Sequence, residues 1–408
     1  MFFTQDRGSS WHQLKTNIPT ISVRDIEIQR RESDLVVGTF GRGIYILDDY
    51  SPLRTKSGEL GATHLFGVRD AWSYVVGDRY GVGEKGFLGA DFYTASNPPF
   101  GAVFTYRLEQ SFESASKLRR KAEIEREKEG QDTPYPSWES LRQEDREEDP
   151  SVLLIVRDAD GRVVRQVSGK SSAGLHRVAW NLRWPAADPV RLSAPSFRPP
   201  WASDPQGPLV EPGRYSVSLA VRQGGELTEV EEPQFFTVKS LPQGPETSTK
   251  PEEVLAFQRK AGELYRAVRG AAALATQLNT RIDHLRVAIP RTTAAEETHE
   301  QQLRAIESQL AELELALNGD RSVSSRNEPT PWSVSARANA VYNLLLNVRS
   351  DVPMMYQESY DIAAGEFTSV LTQLQSIESD LSELEKTLEE LGAPHTPGRV
   401  PVWGEASQ

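Results

Sequence analysis

The residues of this sequence with the clearest chemical potential are two neighbouring carboxylates and an arginine between glycines. Asp48 and Asp49 form an acidic pair, and hydrolysis of a glycosidic bond needs two carboxylates held across a cleft. Neighbours on a strand point to opposite faces, so we expect this pair to cap a strand end and polarise the next turn. Arg42, between Gly41 and Gly43, is a candidate ligand residue for an anion. The alternative is that the glycines serve backbone geometry and Arg42 forms a surface ion pair.

Two further motifs match ligand-binding patterns, but the residues around them do not fit such sites. Gly81–Gly86 matches the GxGxxG pattern of dinucleotide sites, but those sites need a helix that opens at the third glycine. The residues that follow do not have a helical pattern and lead to Pro98 and Pro99. Asp158–Gly161 begins like a calcium loop, but the twelfth position is Gly169 instead of a carboxylate. We therefore predict a hairpin turn at Asp158–Gly161 and no nucleotide site at Gly81–Gly86.

Metal and thiol chemistry are also not expected. The chain has no cysteine, which excludes disulfides, thiolate nucleophiles and cysteine-ligated metals. Its histidines are single and lack the HxH or HExxH spacing of metal sites. We predict no catalytic residue, no cofactor and no metal ligand. The six histidines are His12, His64, His176, His284, His299 and His395.

Composition limits the class of partner. A chain of 408 residues is expected to form two or three domains. Its net charge of −12 argues against nucleic acid and anionic membranes as partners. No apolar run approaches 18 residues, so no membrane span is expected. The N-terminus lacks the basic and apolar regions of a signal peptide, although Met1 would also suit an internal start or a truncation that had lost such a signal.

The first residues fit a known hairpin signature. Residues 4–11 read Thr-Gln-Asp-Arg-Gly-Ser-Ser-Trp, which is the Asp-box pattern (Ser/Thr)-x-Asp-x-Gly-x-x-Trp. We predict structural roles for Thr4, Asp6, Gly8 and Trp11. Asp6 would accept backbone N–H bonds, Gly8 would supply a positive φ, and Trp11 would pack against the next blade of a β-propeller. A single blade cannot cover its own apolar faces, so we expect the chain to be the tail of a larger protein.

The remaining pattern predicts a multidomain β + α protein. Short strands with turn signals, such as Gly224-Gly225, indicate a β-sandwich. The charged stretch inside it is expected to be a solvated helical insertion, with a partner-binding arm as the alternative. The predicted domains are a terminal propeller blade at 1–60, a connector at 61–98, an Ig-like β-sandwich at 99–240 with its charged insertion at 109–149, and a helical bundle at 251–392.

The C-terminal region has a helical period. Apolar residues recur at alternating spacings of three and four from Val254 to Ile289, where Pro290 ends the run. Similar stripes cover 303–317, 341–348 and 371–391. Their short connections favour an antiparallel intramolecular helical bundle over an extended dimeric coiled coil.

Several stretches together resemble one bacterial family. Beyond the Asp-box, they are Asp34–Asp49, Phe92–Ala102, Gly174–Arg183 and Glu211–Tyr215. The chain resembles the C-terminal portion of sortilin-like, Asp-box (BNR) repeat propeller proteins that are labelled glycosyl hydrolases. The resemblance implies that the first stretch closes a propeller. The later stretches would belong to an Ig-like module similar to that of flagellar hook-capping proteins, followed by a helical tail.

The resemblance implies an extracellular or periplasmic parent and gives no catalytic residue to this chain. The arginine cluster, Tyr/Glu pair and acid of sialidase chemistry come from early blades, which have no counterpart here. We expect a non-catalytic region that supports the propeller or binds a glycan, a protein or a cell surface. Its partners would include the missing blades, on the same parent chain or on a split partner. The alternatives are the accessory end of a glycoside hydrolase and an assembly scaffold built on the helices. Trp184 and Trp201 are expected to be buried, with stacking on a sugar or a partner as the alternative.

Overall fold

A computed structural model describes residues 1–14, 17–56, 60–76, 95, 97–193, 197–199, 202, 204–241 and 250–403. The described residues fall into two compact units. The first unit is drawn from 1–76, 95–184 and 210–241, and the second from 185–209 and 250–403. The described strands lie in the first unit and the longest helices in the second. The Gly81–Gly86 motif, Trp201 and part of the Phe92–Ala102 stretch lie outside the described residues.

Two small antiparallel sheets open the chain. Strands β1 (Phe2–Phe3) and β2 (His12–Gln13) pair as a hairpin. Strands β3 (Val23–Gln29), β4 (Asp34–Thr39) and β5 (Ile44–Leu47) form a three-stranded sheet, called the N-terminal sheet below. The region predicted as one blade is therefore made of two separate sheets.

Two further sheets follow, and one of them is mixed. A six-stranded sheet has the order β10-β9-β12-β14-β7, with β13 paired to β12, and β7 runs parallel to β14. A three-stranded antiparallel sheet has the order β11-β8-β6. The strands are β6 (Thr63–Leu65), β7 (Ala71–Ser73), β8 (Ala102–Leu108), β9 (Ser151–Arg157), β10 (Val163–Gly169), β11 (Gly174–Trp180), β12 (Gly213–Gln223), β13 (Glu226–Glu229) and β14 (Gln234–Ser240).

Aromatic side chains join these two sheets. The ring of Phe104 on β8 lies 5.8 Å from that of Phe236 on β14, and Trp180 on β11 lies 5.8 Å from Tyr215 on β12. The sheets therefore face each other across a core that both supply. Strands β6 and β7, which belong to these sheets, lie in the segment predicted as a connector.

The charged stretch contains two exposed helices between β8 and β9. Helices α1 (Ala115–Lys128) and α2 (Trp138–Arg146) have no buried residue. Arg119 on α1 holds α2 by donating two hydrogen bonds of 2.7 Å to the Glu144 carboxylate. The composition of this stretch explains its exposure, since charged side chains gain nothing by entering a core.

The second unit contains five further described α-helices. They are α3 (Pro251–Ala288), α4 (Glu297–Asn318), α5 (Arg321–Ser324), α6 (Val334–Leu345) and α7 (Met354–Glu390). Helices α3, α4, α6 and α7 share one apolar core. The α7 helix begins well before the predicted stripe at 371, because Ala363 and Phe367 continue its buried face. No described helix combines the length and apolar character needed to cross a membrane.

Candidate interaction surface

The Asp-box residues form a hydrogen-bonded turn between β1 and β2. Asp6 accepts hydrogen bonds from the Ser10 backbone N–H (2.8 Å) and hydroxyl (2.6 Å). The Thr4 hydroxyl donates to Asp6 at 2.8 Å and accepts from the Gly8 N–H at 2.9 Å. Gly8 has a φ of 95°, which favours glycine. The Ser10 hydroxyl, followed by the other turn hydrogen bonds, holds the pKa of Asp6 well below its usual range.

The aromatic residues of this hairpin remain exposed. Trp11 is 62% exposed and Phe2 is 63% exposed. We expected Trp11 to pack against a neighbouring blade, and within the described residues no sheet covers it. The hairpin thus has the turn of an Asp-box without the contact that this tryptophan is expected to make.

Both faces of the N-terminal sheet expose apolar side chains. The register places Ile26 opposite Val37 and Ile28 opposite Leu35 on one face. Ile26 is 50% exposed and Ile28 is 42% exposed. The opposite face presents Ile44 and Ile46, which are 71% and 59% exposed. Large exposed apolar patches mark interaction sites in soluble proteins.

A cleft of about 620 Å³ separates the hairpin from the N-terminal sheet. The hairpin is attached here by Gln5, whose amide donates to the carbonyls of Leu53 (2.6 Å) and Thr55 (2.7 Å). The hairpin therefore lies beside the sheet without sealing its face. Apolar and aromatic residues that line the cleft include Phe2, Phe3, Leu14, Ile26, Leu35, Tyr50 and Leu53.

Charged residues gather at the end of the N-terminal sheet, where β4 begins and β5 ends. Arg69 donates to the Asp34 carboxylate at 3.1 Å and to the Glu32 carbonyl. Asp34 also accepts the Asp49 backbone N–H at 2.9 Å. Asp49 has a φ of 49°, and its carboxylate accepts the hydroxyl and N–H of Ser51 at 2.6 and 3.1 Å. Its side chain fixes the turn, which is the geometry predicted for the acidic pair.

A second arginine reaches the same place from β11. The Arg177 guanidinium donates to the backbone carbonyls of both Asp48 and Asp49. Burial, followed by the nearby charge of Asp34, raises the pKa of Asp48. Together with Glu32, Asp34 and Arg69, these residues form what we call the acidic junction. It attaches the N-terminal sheet to strand β11 of the neighbouring three-stranded sheet.

Arg69 and Arg177 were not found by sequence reasoning. Arg177 lies 128 residues from Asp49, and Arg69 lies 35 residues from Asp34. Only the meeting of strand ends in the fold brings them together, and a single sequence shows no local signal of it. The available hint was the placement of Arg177 inside one of the stretches that carry the family resemblance.

Arg42 lies away from the acidic junction. It occupies the tip of the turn from β4 to β5, at the other end of the N-terminal sheet, and is exposed. Gly41 and Gly43 have φ values of 81° and 75°, so the turn requires glycine on both sides. Arg42 remains a candidate ligand residue for an anion.

The other candidate residues do not converge on a site. Within the part of the chain that the structure describes, no group of three or more histidine, aspartate or glutamate side chains could hold a metal ion. Asp158 accepts the N–H groups of Asp160 (3.0 Å) and Arg162 (2.9 Å), as in a hairpin turn. Trp184 is half-buried.

Comparison with known proteins does not identify a family for this chain. No protein family matches this chain, and neither curated proteins nor solved structures give a match.

Proposed function

We propose that residues 1–56 belong to a β-propeller and that further Asp-box blades cover the N-terminal sheet. The observation that carries this proposal is the apolar surface on both of its faces. A sheet at the surface of a protein normally has one apolar face and one polar face. Ile26 and Ile28 on one side, with Ile44 and Ile46 on the other, instead suit a sheet stacked between two others.

The neighbouring hairpin supports blades as the occupants of these faces. The Asp-box turn is fully formed by Thr4, Asp6 and Gly8, and this turn recurs from blade to blade in Asp-box propellers. Trp11 needs an adjacent sheet to bury its indole. Blades of the same type would supply that sheet, and they would fill the apolar cleft beside Phe2 with side chains of similar character.

The rest of the chain acts as a support for this propeller. The two facing sheets would form an Ig-like module, in which the Tyr215 hydroxyl donates to the Glu211 carbonyl at 2.8 Å. Such a return bond from a tyrosine to backbone a few residues upstream is a feature of Ig-like sandwiches. The helices of the second unit would form an antiparallel bundle, fixed in part by the Arg281–Glu385 ion pair at 2.6 Å.

The acidic junction attaches the N-terminal sheet to β11, so its carboxylates have a structural role instead of a catalytic one. The Asp49 carboxylate accepts a hydrogen bond from the Ser51 N–H. The Asp34 carboxylate accepts hydrogen bonds from Arg69 and from the Asp49 N–H. We therefore propose a non-catalytic region of an exported protein, extracellular or periplasmic, that supports the propeller and presents a surface to a glycan or protein ligand. The blades would lie on the same parent chain or on a separate partner chain.

The proposal can be tested on the native protein. An antibody against the helical region would recover the polypeptide from the organism that encodes it. We expect a species heavier than 45.5 kDa, or co-purification of a second chain with repeated Asp-boxes. A solitary 45.5 kDa species that stays monomeric at all concentrations would contradict the proposal. Self-association through the N-terminal sheet would also contradict it, because a second copy would then cover these faces.

The non-catalytic assignment has its own test. The purified chain should not hydrolyse aryl glycosides or sialosides above the rate in buffer. Hydrolysis that disappears in both Asp48→Asn and Asp49→Asn, while each variant keeps its thermal transition, would show that the acidic pair catalyses.

A further inference from the structure

A polar pocket lies beside the acidic junction, at the edge strand β7. Its volume of about 370 Å³ lies in the range of small-molecule sites. Three aromatic side chains and three charged ones contribute to it. They are Trp72, Tyr74, Phe100, Glu32, Arg69 and Asp70.

The alternation of strand β7 builds one wall of this pocket. Ala71 and Ser73 are buried, while Trp72 between them is 41% exposed. Successive side chains on a strand point to opposite faces, so Asp70, Trp72 and Tyr74 share the outward face. This face therefore presents a carboxylate and two aromatic rings in a row, with the Lys239 ammonium 5.8 Å from the centre of the Trp72 ring.

The opposite wall is held rigidly. The Phe100 ring meets Tyr74 edge to face, with 4.9 Å between ring centres. The backbone at the next residue, Gly101, lies so close to β11 that an added Cβ would be 1.9 Å from the Trp180 carbonyl oxygen. Gly101 is thereby packed against the end of β11, next to the Phe100 ring of this wall.

The polar groups of the pocket are also fixed in place. Asp70 accepts the Thr237 N–H at 2.9 Å and the Lys239 ammonium at 2.6 Å. The hydrogen bond with Lys239 lowers the pKa of Asp70, so its carboxylate is ionised at neutral pH. Arg69 is held by Asp34 at 3.1 Å. Groups that are already oriented lose little entropy when a ligand binds.

We infer that this pocket binds a neutral pyranose sugar, with its apolar face on Trp72 and its hydroxyl groups on Asp70, Glu32 and Arg69. The C–H face of a pyranose ring packs on aromatic rings, and its hydroxyls both donate to carboxylates and accept from guanidinium groups. The inference deepens the proposed function, on which it rests, by naming the ligand class of a non-catalytic binding region.

The charges of the pocket exclude the sugar that a sialidase-like label would suggest. Glu32 and Asp70 contribute two negative charges, and the two cations beside them are already paired: Lys239 lies 2.6 Å from Asp70, and Arg69 faces Asp34 and Asp49. A carboxylated sugar would bring a further negative charge among them, where like charges repel. The ligand is therefore a neutral sugar and not a sialic acid.

Titration of the full chain with single sugars tests this inference. Methyl glycosides of glucose, galactose, mannose and N-acetylglucosamine would be compared with sialic acid by ligand-observed NMR and calorimetry. We expect saturable binding of at least one neutral glycoside and no binding of sialic acid. Trp72→Ala should weaken binding roughly ten-fold, because one aromatic contact is removed. Trp138→Ala is the matched control, because Trp138 is 69% exposed on α2, outside the pocket, and it should leave binding unchanged.

A second variant keeps the test valid if Trp72→Ala disturbs the fold. Trp72→Leu retains an apolar cover on β7 but removes the flat ring, and it should weaken binding to a similar extent. The inference is overturned if no neutral glycoside binds at millimolar concentration, if sialic acid binds as well as the neutral sugars, or if Trp138→Ala weakens binding as much as Trp72→Ala. These readouts do not depend on the mass of the native protein, so failure here is distinguishable from failure of the propeller proposal.

Discussion

Similar aliphatic side chains are buried in the helical region and exposed in the N-terminal sheet. In the helical region Leu278, Leu285 and Leu310 are fully buried, whereas Ile44 and Ile46 in the N-terminal sheet are 71% and 59% exposed. A helix has one apolar stripe, and its neighbours in the same chain cover it. A three-stranded sheet has two faces, and within the described part of residues 1–56 the two-stranded hairpin lies beside one of them without sealing it. Topology, more than composition, decides which region can complete its own core.

The largest expected effect is at Gly101, next to the start of strand β8, where the backbone is packed closely against β11. Gly101→Ala would place a Cβ 1.9 Å from the Trp180 carbonyl oxygen, at a φ of +107°. We expect a loss of about 4 kcal/mol or more in the free energy of unfolding, measured by urea denaturation. Strand β8 must move away from β11 to relieve this contact.

Gly174→Ala is the matched control for that clash. Gly174 has a φ of +125°, but among the described residues no heavy atom outside its chain neighbours lies within 4 Å of the added Cβ. Backbone strain alone should cost about 1–3 kcal/mol. Equal losses in the two variants would show that β8 and β11 are less closely joined than described.

Two side-chain truncations compare the helical region with the N-terminal sheet directly. Leu285→Ala removes a fully buried side chain from α3 and should lower the free energy of unfolding by about 2–5 kcal/mol. Ile44→Ala removes a 71% exposed side chain and should change it by no more than about 0.5 kcal/mol. The measurement is chemical denaturation of the full chain at low concentration. A large loss for Ile44→Ala would mean that the isolated chain covers this face, which would remove the need for blades.

A smaller effect is expected at the acidic junction. Arg177→Ala removes two donors to the Asp48 and Asp49 carbonyls, and we expect a loss of about 1 kcal/mol because the site is partly exposed. The N-terminal sheet should also become more sensitive to chymotrypsin, since its attachment to β11 is weakened. Arg162→Ala, in the turn between β9 and β10, is the control. Unchanged proteolysis of residues 1–56 in Arg177→Ala would show that the junction does not hold the sheet.

The smallest effect depends on pH. Burial and the nearby Asp34 raise the pKa of Asp48, so folding favours its protonated form and its ionised form lowers stability above the raised pKa. Asp48→Asn should raise the free energy of unfolding at pH 7 by about 0.2–0.5 kcal/mol, a small amount because solvent screens a partly exposed carboxylate. The gain should disappear as the pH falls below the ordinary pKa of aspartate, where both proteins are neutral at this position. Thermal unfolding at several pH values checks this, with Asp132→Asn as the control. A gain that is the same at every pH would contradict the electrostatic cause.

Much of the secondary structure follows from local pattern, and the exceptions have physical reasons. Helix α4 ends at Asn318, and Gly319 follows with a φ of 84°, as its position after the last leucine predicts. Strand β13 (Glu226–Glu229) escaped prediction because its four residues are all exposed and carry no apolar alternation. Strands β6 and β7 are three residues each, too short for a period to show.

The candidate site was less predictable than the fold. The turn role of Asp49 was deducible because the acidic pair comes directly after an alternating strand pattern and before Tyr50-Ser51-Pro52. The pairing of Asp49 with Arg69 and Arg177 was not, since it depends on which strand ends meet. The pocket at β7 was also not predictable, because Trp72 and Phe100 line it from separate segments of the chain that meet only in the fold.

The arm of α1 and α2 has a practical consequence for engineering. Neither helix contributes a buried residue, and Arg119 and Glu144 tie them to each other. A reporter domain whose ends lie close together should therefore be accepted in their place, between β8 and β9, without loss of solubility or yield. Such a fusion would carry a fluorescent label or an affinity tag at a position remote in sequence from both termini.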